Sequence, residues 1–225
     1  MKQHRRNQAY TAYFATALIA ASALLAPPAA ADGLREPIPP GNAAATLRLP
    51  PRDADGEFET PNRHLHSERA FWNVRIALNV AAIGCRGPRA AGLVADYNAL
   101  LVRHAALVRS SETLVIANLG RSSSSNGIAA RDKLSTRLFN YFAQPPAQAE
   151  FCTVAADVAA EVAQGNSENA RLRATALLAR LDQPFVDFYA AYERYRIELA
   201  AWNALGNNPA ARDGDVHQAR FLSGQ

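Results

Sequence analysis

The sequence predicts an all-α protein, a bundle of five to six helices carrying one disulfide, preceded by a signal peptide and a proline-rich leader. Three observations predict it. Between Ser67 and Gly206 apolar residues recur at steps of three and four, the period of a helix face. Gly-Pro, Pro-Pro and Gly/Ser-rich punctuation cuts that region into segments of helical length. No run alternates β-branched with polar residues, and no Asn-Gly turn joins two such runs, so no strand pattern competes.

Residues 1–31 have the layout of a secretory signal: a basic start (Lys2, Arg5, Arg6), an uncharged run from Ala12 to Ala26, and small residues Ala29-Ala30-Ala31 that place cleavage after Ala31. The run is shorter than the roughly 20 residues of a spanning helix. An uncleaved anchor is the alternative. Arg5-Arg6 is a twin arginine, but Gln8 replaces the apolar residue expected after it, which favours general secretion. The expected location is therefore the periplasm or the exterior, with no membrane span after cleavage. Export also changes the charge argument. Three of the 24 basic residues lie in the signal, leaving 21 against 20 acidic ones and a net charge of +1 rather than +4. No dense basic block remains, so nucleic acid is not an expected partner. Lys133 is the single lysine after the signal.

Residues 32–66 hold Pro37, Pro39, Pro40, Pro50, Pro51 and Pro61, each removing a backbone donor. Apolar content is thin there, and the segment reads as an extended or disordered leader, part of which could lie along the folded domain. Residues 67–206 form the bundle. In the first helix Phe71, Val74, Leu78, Ala81 and Cys85 share a face, widened by Trp72, Ile76 and Ile83. Ser67 is its expected cap, and Gly87-Pro88 stops it. A second helix runs from about Ala90 to Leu119, with Leu93, Tyr97, Leu101, His104, Val108 and Val115 on one stripe and a possible break at Arg109-Ser110-Ser111. The "GRSSSSNG" loop follows. It spaces two glycines like a phosphate loop but lacks the Gly-Lys-Ser/Thr ending. Further helices are expected over about Ile128–Ala143, from Pro145-Pro146 to Gln164, and from Ser167. Asp182-Gln183-Pro184 reads as a cap and first-turn proline of a sixth helix, or as a kink in one long helix. In that last stretch Phe185, Phe188, Tyr192, Tyr195, Leu199 and Trp202 form the cleanest seam in the chain. Residues 207–225 are a polar tail.

Two cysteines in an exported chain are expected to be oxidised. Cys85 ends the first helix and Cys152 lies early in the fourth, so a bond predicts Cα atoms within about 6 Å of each other. Two buried thiols are the alternative. There is no Cys-x-x-Cys to tune a redox thiol.

"HLHSE" offers His64, His66 and Glu68 as a metal set, against a solvated histidine pair. His104 on the apolar stripe is a candidate base, against a core histidine bonded to a carbonyl or tyrosine. Arg75, Asn79, Tyr97, Asn98, Asn140 and Tyr141 lie near apolar faces and could line an interhelical pocket, or else fix helix register. No nucleophile elbow, zinc-protease, di-iron or haem motif is present, and no cofactor is expected.

The segments "FWNVRIALNVAAIGC", "DYNALLVRHAALV" and "TRLFNYFAQPPAQAEFC", spanning about Glu68 to Gln164, resemble uncharacterised exported helical proteins of Gram-negative bacteria. The resemblance spans both cysteines and implies no reaction or ligand. The expected function is a non-enzymatic binding or accessory protein of the cell envelope, with an envelope protein or cell-wall component as partner. The alternatives are a hydrolase-like enzyme using His104 and a small-ligand or metal carrier, the carrier predicting a cavity beside the aromatic seam or metal bound at His64 and His66.

Overall fold

A computed structural model describes residues 35–122 and 126–206. The expected signal peptide, the centre of the serine loop and the polar tail fall outside the described residues. The unit from Glu36 onward is, among its described residues, a set of helices preceded by an irregular segment with one isolated antiparallel bridge between Arg52 and Phe58. Its helices are α1 (Ser67–Gly84), α2 (Ala90–Arg103), α3 (Ala105–Ser122), α4 (Gly127–Phe142), α5 (Gln148–Gln164) and α6 (Ser167–Ala204).

The first helix is the centre of the bundle. Ala70, Phe71, Trp72, Val74, Ile76, Ala77, Leu78, Val80 and Ala81 are all buried, and α1 packs against each of the other helices. A helix apolar on all sides belongs in a core rather than on its surface. The single face read from the sequence was therefore too narrow, except at its end, where Ile83 is 65 % exposed. Ser67 is not the cap: it has φ +49°, follows extended His66, and no side chain caps the helix.

One boundary differs from the sequence reading, and another falls to the second of its two alternatives. The long second helix breaks at His104, not at Arg109–Ser111. His104 leaves helical geometry (φ −106°, ψ 24°) while its N–H still bonds the Leu100 carbonyl. Its ring is bonded into the corner between α5 and α6, which holds the bend. Conversely, the chain runs helically through Pro184, so the expected fifth and sixth helices are one, α6. Proline lacks the N–H that would have bonded the Arg180 carbonyl. Burial of Phe185, Phe188, Tyr192 and Tyr195 on the following turns keeps the helix continuous.

The leader, from Glu36 on, is a strap packed on the bundle. Tyr192 donates its hydroxyl to the Ala44 carbonyl (2.7 Å) and accepts from the Leu47 N–H (2.8 Å). Arg52 pairs with Glu193 on α6 (2.5 Å) and lies 3.9 Å above the Phe58 ring. Phe58 is itself core, edge-on to Tyr189 with ring centroids 5.4 Å apart. At Gly41 (φ +60°) the strap passes the α4–α5 corner so closely that a Cβ would come within 2.9 Å of the Pro146 Cα. The aromatic seam of α6 is thus covered by the strap and by Tyr141, Phe142 and Phe151.

Cys85, capping α1, is bonded to Cys152 in α5 with Cα atoms 5.6 Å apart. This agrees with the separation expected of a bridge between those helix ends.

Helices α3 and α4 form a hairpin pinned by Asn126, whose side chain accepts from the Ile128 N–H (2.9 Å). A Cβ on Gly127 would strike the Ile116 carbonyl and lie 3.2 Å from the Gly120 nitrogen, whereas a Cβ on Gly120 would meet nothing nearer than 3.6 Å. Gly127→Ala is therefore expected to destabilise by about 1–3 kcal/mol, the cost of overpacking against backbone. Gly120→Ala, which gains helix propensity, should leave stability within about 0.5 kcal/mol or raise it. Urea unfolding of both variants checks this, and equal effects would contradict it.

Candidate functional site

The most concentrated buried polar group of the described chain surrounds Asp182, one turn before the aromatic seam of α6. Asp182 is 8 % exposed. The strap reaches it through the turn "TPN". Thr60 donates its hydroxyl to Oδ2 (2.7 Å), and the Asn62 amide donates to Oδ1. From α4, the Tyr141 hydroxyl donates to Oδ1 (2.8 Å). From α1, Asn73 donates to Asn62 Oδ1 (2.9 Å). One carboxylate thus joins α1, α4, α6 and the strap. Burial pushes the Asp182 carboxyl above its ordinary value, and the three hydrogen bonds and the Arg63 charge only partly oppose that. The Tyr141 hydroxyl is held far above the phenol range, first by burial and then by the neighbouring Asp182 charge. Burial also raises Tyr189, against a hydrogen bond from Gln144.

Sequence reasoning placed Tyr141 near such a site but missed Asp182, Thr60, Asn62 and Asn73. One signal was present: Asp182 sits on the buried stripe of α6, one turn from Leu178 and Phe185. The other proposed pocket residues do not join it. Tyr97 is buried in the core, Asn98 and Asn140 are exposed, and Asn79 is half-buried. Arg75 carries a buried Nε with no acceptor among the described residues.

His104 is sealed, with 0 % exposure. Its Nε2 bonds the Val162 carbonyl and its Nδ1 the Ser167 hydroxyl, both at 2.9 Å. Both ring nitrogens are occupied and neither reaches solvent. The residue ties the α2–α3 bend to the α5–α6 corner, and the hydrolase reading has no accessible base in it.

His64 and His66 are exposed and share with Asp182 and Arg63 a cleft of about 370 Å³. His64 has φ +58°, so the pair is not the extended arrangement expected. Glu68 lies 3.9 Å from Arg171 instead of joining the histidines. Among the described residues no group of three or more His, Cys, Asp or Glu side chains is placed to hold a metal ion.

A second cleft, of about 450 Å³, opens between α1, α3 and α4. Arg69 on α1, Arg121 on α3 and Arg137 on α4 line it, with Asn73, Asn118 and Ser122 and no acidic residue. Trp72, fully buried, forms part of the wall, and its indole N–H has no acceptor among the described residues. Several arginines elsewhere are paired: Arg63 with Asp53, Arg89 with Asp157, Arg131 with Glu112, Arg171 with Glu168, Arg173 and Arg180 with Glu161. The three in this cleft form no ion pair with a described carboxylate. Arg121 is held by the Asn118 side-chain oxygen, which leaves that amide's nitrogen to donate.

Comparison of the chain with family models, with curated proteins and with solved structures finds no match. Fold and site define a class only: a disulfide-bonded, strap-wrapped helical bundle with a donor-lined cleft. No described helix is long and apolar enough to cross a membrane.

Proposed function

We propose that this chain is an exported, non-enzymatic binding protein of the cell envelope, taking its ligand in the cleft between α1, α3 and α4. The observation that carries this is the contrast between its two polar centres. The Asp182 centre spends its donors on one carboxylate and serves the fold. The arginine cleft holds side chains from three helices with donors left over, on rigid elements, in a concavity of ligand size. The signal-like residues 1–31 and the disulfide support export.

The test is retention of envelope components from a solubilised envelope fraction by the mature, oxidised protein, beside an Arg69→Gln/Arg137→Gln double variant. The expected result is a component held by the wild type and lost by the variant. Identical retention by both would remove the cleft from the function. Turnover of an envelope substrate by the purified protein would overturn the non-enzymatic reading.

A further inference from the structure

The arginine cleft has a chemistry that narrows its ligand. It presents three guanidinium groups, each a planar fork of N–H donors with no acceptor of its own. They come from three different helices and line one volume. The Asn118 amide nitrogen adds a donor, and no acidic side chain is among the described residues that line the cleft. A single carboxylate has two oxygens in one plane and satisfies one fork. A phosphate monoester presents three terminal oxygens around a tetrahedron and a charge of about −1.5 to −2 at neutral pH. Its number of oxygens and its charge suit three guanidinium groups better than a carboxylate's do. The cleft's volume of about 450 Å³ exceeds one phosphoryl group and leaves room for the body of the ligand beside Leu65, Val115 and Leu134.

We infer that the cleft between α1, α3 and α4 is a phosphoryl-binding site, with Arg69, Arg121 and Arg137 as the ligands of a phosphate monoester borne by a small molecule or a lipid headgroup. The inference rests on the binding reading above and gives it a ligand class.

The experiment uses the mature, oxidised full chain at fixed ionic strength. Calorimetric titration with inorganic phosphate and with glycerol 3-phosphate tests the soluble source. Cosedimentation with vesicles of phosphatidic acid in phosphatidylcholine, against phosphatidylcholine alone, tests the lipid source. Saturable binding in either arm supports the site. Arg69→Gln, Arg121→Gln and Arg137→Gln, all exposed positions, should each weaken it by about tenfold, the loss of one charge-assisted fork. Arg103→Gln, an exposed arginine outside the cleft, should leave it unchanged. Thermal melting of each variant confirms that the fold is retained. Three results would overturn the inference: no saturable binding in either arm, citrate binding as tightly as the phosphate ester, or Arg103→Gln losing as much as the cleft variants. Cleft-dependent capture of an envelope component without phosphoryl binding would overturn this ligand class while leaving the binding reading in place.

Discussion

Loss of the Cys85–Cys152 bond is expected to lower the stability of the bundle by about 4 kcal/mol, the loop-closure entropy of a bridge spanning 67 residues. For a domain of this size that is a fall in melting temperature of about 8–16 °C. The magnitude comes from the unfolded chain. The bond closes a loop that contains α2, α3 and α4, and removing it frees that whole stretch in the denatured ensemble. The native side of the balance changes less. Cys85 is buried at the end of the central helix, and Cys152 lies one turn from Gln148, whose amide nitrogen is 3.6 Å from its sulfur. The packing of α1 against α5 and α2 remains without the bond. The bonded protein should offer no alkylatable thiol before denaturation and should be reduced slowly while folded. The clean comparison is Cys85→Ala/Cys152→Ala against the oxidised wild type in urea and in thermal melting. A double variant within about 1 kcal/mol of wild type would show that the bond constrains little that the helices do not already constrain.

What the sequence disclosed follows from which interactions are periodic. Phe71, Val74, Leu78 and Ala81 repeat with the helix, so α1 and its facing toward the core were readable, and so was the nearness of Cys85 and Cys152 once export was inferred. Tertiary decisions made by single residues were not readable. The break at His104 depends on the Val162 carbonyl and the Ser167 hydroxyl, far away in sequence. The continuity of α6 through Pro184 depends on neighbours that bury its aromatic turns. The strap was the largest omission. Its prolines rule out a helix, and its apolar residues have no period, yet Phe58, Leu47 and Thr60 each meet one receiving position on α6 or its neighbours. Contacts of that kind leave no repeating mark. The arginine cleft was hidden for the same reason: Arg69, Arg121 and Arg137 lie far apart in the chain, and only the packing of α1, α3 and α4 brings them to one cavity.

Asp182→Ala is expected to cost at least about 3 kcal/mol, or about 6–12 °C in melting temperature. It leaves the buried Thr60 hydroxyl, Asn62 amide and Tyr141 hydroxyl without their acceptor, and each orphaned donor costs about 1–3 kcal/mol. The loss should fall on the strap first, because Thr60 and Asn62 attach it there, and proteolysis within residues 36–62 should accelerate. Asp182→Asn keeps the shape. Its oxygen can still accept from Asn62 and Tyr141, and its nitrogen can donate to the Thr60 oxygen, so it should be the milder variant at every pH. The pair also tests the electrostatics. Burial raises the folded-state carboxyl above its unfolded value, so the folded protein holds this proton more tightly than the unfolded chain does. The resulting stabilisation is fully present below the unfolded value of about 3.9 and is lost as pH rises through the folded value. The carboxylates Asp53, Glu168 and Glu193 are shifted the other way, but they are common to both proteins and cancel in the difference. The stability of wild type minus that of Asp182→Asn should therefore shrink as pH rises above about 4 and level off once pH has passed the raised folded-state value. A difference that grows with pH would mean that the three hydrogen bonds outweigh burial, and the strap would then be held by a carboxylate that prefers its charge.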